Sequence, residues 1–155
     1  MSMAWNADQK LPEPHASPQA WRAFLRGLAL ELDAQAGPDA SSAILRATGQ
    51  QMAAMLALPA VASLEALELE MNTVLAEIGW GSVRLTLQEA ERCVALYHSD
   101  LPRIGSAGEP PGTWLAPALE GLYRGWMGQQ PGADPSFNAH VHGYRGNTIV
   151  IRYGR

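Results

Sequence analysis

The sequence predicts an α+β fold with three N-terminal helices, a β-hairpin, a further helix and a C-terminal β-hairpin. The two hairpins join in a four-stranded antiparallel sheet packed by helices. Three observations predict it. Apolar residues recur at three- and four-residue steps in several stretches, beginning at Trp21 and ending at Trp126. Alternation replaces that period at Val83, Leu85 and Leu87, and again at Val94, Leu96 and His98. Near the end of the chain, Arg145-Gly146-Asn147 separates two strand-like runs, Phe137 to Tyr144 and Thr148 to Tyr153.

Residues 1–17 carry Pro12, Pro14 and one large aromatic, Trp5, without periodicity, which predicts an extended arm before a single domain over 18–155. Ser17 supplies a cap and Pro18 suits a first turn, where no amide donor is missed. The stripe Trp21, Phe24, Leu25, Leu28 and Leu32 follows, and it predicts core packing for Trp21. Gly37 and Pro38 end that helix. A second helix, from about Pro38 to Leu58, carries Ile44, Leu45, Thr48, Met52, Met55 and Leu56 on one side and stops before Pro59. A third begins at Ser63 with Leu64, Leu67, Met71, Val74, Leu75 and Ile78 as its stripe, and Gly79 stands where a left-handed closing residue is needed. The first hairpin turns through the polar stretch from Gln88 to Arg92. A Gly- and Pro-rich loop from Ser99 to Gly112 follows, and Thr113 is placed to cap a helix bearing Leu115, Leu119, Leu122, Tyr123 and Trp126.

Composition narrows the function. A chain of 155 residues is one domain by length and buries enough surface to need no disulfide framework. Cys93 is the lone cysteine, so no oxidising compartment is called for. The N-terminus lacks a basic start and an apolar signal core, and no window is long and apolar enough to insert in a bilayer, so a cytoplasmic protein is expected. A net charge of −4 with scattered Lys and Arg excludes the basic stripe that nucleic acid requires. The 47% hydrophobic content beside only 17% charged residues suits either subunit interfaces or an Ala-rich helical core.

No catalytic constellation emerges. His140 and His142 stand two apart on a strand, a spacing seen at some metal sites, but nothing completes a ligand set, and no metal or cofactor is expected. His15 and His98 are isolated. Gly105-Ser106-Ala107-Gly108 lacks both the Lys-Ser/Thr of a phosphate loop and the spacing of a nucleophile elbow, so its glycines read as turn formers, with Glu109 placed to hold the loop. Glu65, Glu68, Glu70 and Glu77 read as a solvated helix face. Five tryptophans are many for this length. Trp21 and Trp126 fall on apolar stripes, Trp80 and Trp114 beside glycines suit packing or interface contact, and Trp5 has the least structural reason.

The run Ile78-Gly79-Trp80-Gly81, the segment from Gly105 through Gly108, Glu109, Gly112 and Trp114 to Pro117, and Leu119-Glu120-Gly121-Leu122-Tyr123 with Trp126 resemble the bacterial cellulose synthase operon protein D family. Leu67 to Asn72 and Leu75 to Glu77 lead into the match, and Trp21 to Gly37 is more loosely similar. The resemblance implies a non-catalytic accessory subunit that dimerises and builds a cylindrical octamer from four dimers. It also implies glucan passageways inside that cylinder, organisation of cellulose export or crystallisation, and other synthase subunits as partners. Because N-terminal segments of the family line the passageway, the resemblance places glucan contact in the N-terminal arm, which does not itself visibly match the family, and by location that contact falls to Trp5, Asn6 and Gln9. The resemblance assigns Gly79, Trp80, Gly81, Gly105, Gly108, Glu109, Gly112 and Trp114 to the structural motif. The competing reading is a pure scaffold that arranges synthase complexes through partner proteins without touching sugar.

Overall fold

The computed structural model describes residues 18–102 and 113–155. Its elements are α1 (Pro18–Met55), α2 (Leu64–Ile78), β1 (Ser82–Gln88), β2 (Cys93–Ser99), a 3-10 turn (Thr113–Leu115), α3 (Ala116–Gly128), β3 (Asn138–Arg145) and β4 (Thr148–Gly154). The predicted α+β class and element order hold. Gly37, at φ 77° and ψ 170°, leaves helical space inside α1, so the two expected helices are two segments of one kinked element.

The strands form one antiparallel sheet in the order β1-β2-β4-β3. Its inner rows, such as Val83, His98 and Ile149, or Leu85, Leu96 and Ile151, are buried beneath the helices. On that side α2 packs along β1 and α3 along β3. The second hairpin turns with positive φ at Gly146 (58°) and not at Asn147. The register slips between Val141 and Gly143, at His142, breaking the strict alternation expected of His140 and His142, whose rings are both exposed.

The second segment of α1 is locked to α3 by small residues. A Cβ on Gly121 would lie 1.9 Å from the Arg46 carbonyl oxygen, and one on Gly49 would lie 1.9 Å from that of Ala118. The backbones therefore touch, a spacing that any side chain at either position prevents. Leu119, Leu122, Tyr123 and Trp126 are fully buried along the same helix. Contrary to the expected run to Leu58, α1 stops at Met55, because α3 binds the following backbone. Trp126 Nε1 donates to the Leu56 carbonyl (2.9 Å), while Gln129 donates to the Ala53 carbonyl (2.8 Å) and accepts from the Leu58 amide (3.1 Å). The expected Thr113 cap is also displaced. A 3-10 turn occupies 113–115, and α3 begins after Leu115, which provides no side-chain cap bond.

The first segment of α1 corrects one expectation directly. Trp21 is 56% exposed and Phe24 61%, with Leu28 and Leu30 also exposed. The two rings meet edge to face, their centroids 6.1 Å apart. The helical period holds as the sequence predicts, but no described element covers the stripe it produces.

Candidate functional site

The motif at Ile78 to Gly81 joins helix to sheet. After α2, Gly79 takes the left-handed conformation (φ 69°, ψ 33°), its amide donating to the Ala76 carbonyl at 3.3 Å while the Trp80 amide reaches the Leu75 carbonyl at 2.9 Å. This pair of bonds satisfies carbonyls that a helix end leaves open, and the apolar residue after the glycine packs back on the core. At the other end of the same helix, Ser63 accepts from the Ala66 amide at 3.1 Å. Gly81 follows with φ 84°, and a Cβ there would sit 2.0 Å from the Ser99 carbonyl oxygen. The start of β1 therefore lies directly against the end of β2.

The Trp80 carbonyl accepts a hydrogen bond from His98 Nε2 at 2.7 Å. With the proton on Nε2, His98 Nδ1 is left as the acceptor for the Tyr123 hydroxyl. His98 and Tyr123 are both fully buried. Burial lowers the His98 pKa to about 4, outweighing its bond to Trp80 and the charge of Asp100, and burial raises Tyr123 well above the ordinary tyrosine value. At neutral pH both groups are uncharged and saturated, linking β2, α3 and the exit of α2. They hold the structure together and offer no free proton acceptor to a substrate.

Both edges of the sheet are occupied by side chains from the helices. Asn72 pairs with both backbone groups of Val83, at 2.8 Å each, and Glu68 accepts from the Leu85 amide at 2.8 Å along β1. On β3, Glu120 accepts from the Val141 amide at 3.2 Å and lies 3.4 Å from both Arg46 and His140. Glu68 is thus an edge cap and not one of the freely solvated carboxylates that the sequence predicts. Edge strands present unpaired backbone groups as templates for further strands, and these three side chains block that at Val83, Leu85 and Val141.

Of the residues assigned from the sequence, Gly79, Trp80 and Gly81 come together at the helix-to-sheet junction. Trp114 packs half-buried against the core, and its Nε1 is buried without a hydrogen-bond partner among the described residues. Trp5, Asn6, Gln9, Gly105, Gly108, Glu109 and Gly112 lie outside the described residues. Sequence reasoning missed the edge caps Glu68, Asn72 and Glu120. It also missed the seam of Gly49 and Ala53 against Gly121 and Gly125, whose signal is small residues four apart on both helices.

The cellulose synthase D-subunit family matches residues 9–154. The chain belongs to that family. It is 47% identical to a cellulose synthase operon protein D of Komagataeibacter xylinus over 110 residues, 71% of this chain and 70% of the relative. The protein of that name from Komagataeibacter sucrofermentans matches equally, and another from Komagataeibacter xylinus is 44% identical over the same share. The junction, the edge caps and the α1–α3 seam all fall inside the region matched to the family. Among the described residues, no helix is long and apolar enough to cross a membrane.

Proposed function

We propose that this chain is a non-catalytic accessory subunit of a bacterial cellulose synthase complex. It assembles with itself and organises the export or crystallisation of β-1,4-glucan chains, in the cytoplasm beside the membrane-bound enzyme. Family membership supports the link to cellulose, and the observation that carries self-assembly is the uncovered stripe of Trp21, Phe24 and Leu28. Exposed aromatics at helical spacing are costly on an isolated monomer and suit the centre of an interface. Because the capped stretches of both sheet edges resist strand addition, helix packing through this stripe is the favoured mode. Closed symmetry satisfies such a surface, and an octamer of four dimers is the proposed form. The arm with Trp5, Asn6 and Gln9 supplies the proposed glucan contact.

Light scattering tests the assembly. A mass near eight times the chain's 16.7 kDa is expected, and a stable monomer at micromolar concentration contradicts it. Removing residues 1–16 is expected to preserve that mass while lowering cellulose yield or order in producing cells. Normal cellulose from the truncated protein contradicts the arm's role.

A further inference from the structure

None of the four strands contains an Asp or a Glu, although the chain carries a net charge of −4. The outer face of the sheet, opposite the helices, therefore bears Arg84, Arg145 and Arg152 without a carboxylate of the strands, beside Tyr97 and the buried Val150 and Ala95. One row across it reads Ser82, Ser99, Thr148 and Arg145, and the adjacent row begins with Arg84 and Tyr97. These six residues line an open hollow of about 470 Å³.

Arg46, Arg152 and Arg155 each face a carboxylate, whereas Arg84 and Arg145, like Arg22, Arg26, Arg92 and Arg124, form no salt bridge among the described residues. What sets Arg84 and Arg145 apart is that both border the same hollow. Arg84 lies over the Tyr97 ring, 5.8 Å from its centroid, which orients a planar guanidinium while leaving its donors available. Between the arginines, Ser99 and Thr148 share one hydrogen bond of 3.0 Å, so one hydroxyl proton remains to donate outward. Arg84 and Arg145 stand on opposite edge strands and in adjacent rows, about 14 Å apart across three strand spacings and about 7 Å along the strands, roughly 16 Å in all. That span suits successive acidic side chains along an extended chain better than one small anion.

We propose that this outer sheet face is a docking surface for an acidic segment of a second protein, whose carboxylates sit between Arg84 and Arg145 above the Ser99–Thr148 pair. A neutral sugar is disfavoured because the Arg84 guanidinium covers the tyrosine face that would stack on it. Long polyanions meet repulsion from the chain's overall charge. A bilayer surface finds no apolar anchor, since the exposed large hydrophobics of the strands, Leu87 and Tyr144, belong to the inner rows.

The test uses the full chain at low salt with a fluorescent peptide of alternating glutamate and glycine. Its glutamine counterpart, inorganic phosphate, phosphatidylserine vesicles and single-stranded DNA serve as competitors. The glutamate peptide is expected to bind saturably and the glutamine peptide not to bind. Arg84→Gln with Arg145→Gln is expected to weaken binding about a hundredfold, with helix content and assembly mass unchanged, while Arg124→Gln on α3 leaves binding as it was. The proposal is overturned by an absence of saturable binding, by equal binding of the glutamine peptide, or by binding that survives the double substitution. It is equally overturned if phosphate, vesicles or DNA compete more strongly than unlabelled glutamate peptide. A fall in assembly mass in the double variant would show a contact between copies of this chain and would also overturn it.

Discussion

The two segments of α1 both leave part of their expected stripes exposed, Ile44 and Met55 after Gly37 as well as Trp21 and Phe24 before it, but they differ in how they are held. After Gly37, the helix is pressed to backbone contact with α3 through Gly49 and Gly121, and its end is bound by Trp126 and Gln129. Before Gly37, Trp21 and Phe24 stand in the open. Periodicity states that a helix has an apolar face. What covers that face is a separate matter, decided here by small residues that let a second helix approach.

The sharpest way to break this contrast is to put a side chain into the seam. Gly121→Val forces a Cβ against the Arg46 carbonyl, and a loss of roughly 3 kcal/mol or more is expected in denaturant unfolding. Trp126→Ala is expected to cost about 3–5 kcal/mol, by removing a fully buried ring and its bond to the Leu56 carbonyl. A seam that tolerates both without loss is not the core contact described.

Acid probes the same region through His98. Its pKa is lowered on folding from 6.5 to about 4, so the unfolded chain takes up the proton first as pH falls. The stabilisation is complete above pH 6.5, declines through the interval down to about 4 and is gone below it, a change of ~3 kcal/mol. Unfolding measured across that range should show the decline, and His98→Gln should flatten it. Tyr123→Phe leaves His98 Nδ1 without its donor and is expected to cost about 1–3 kcal/mol. The smallest effect lies in the first segment, where nothing stands within 4 Å of a Cβ on Gly27. Gly27→Ala is expected to stabilise by about 0.5–1 kcal/mol through helix propensity alone.

Much of the fold is legible in the sequence because its signals are local. Ser63 and Gly79 cap α2 from adjacent backbone groups, Gly37 and Pro38 break α1 where they stand, and alternation marks the strands. The illegible parts depend on residues distant in sequence. Glu68 resembles its helical neighbours until β1 brings the Leu85 amide to it, and Glu120 acquires its role from β3 and Arg46 together. Trp21 is misplaced by periodicity for the same reason, since its period matches that of Trp126 and only tertiary structure separates them.

The most direct test is therefore paired substitution of the open stripe, Trp21→Ala with Phe24→Ala, followed by light scattering and far-UV circular dichroism. If the first segment of α1 is the surface through which copies associate, the mass falls below that of the unsubstituted protein. The helix and sheet signals stay unchanged, because neither ring packs in the core. An undiminished assembly, or a fold that collapses with these two rings, would contradict the account.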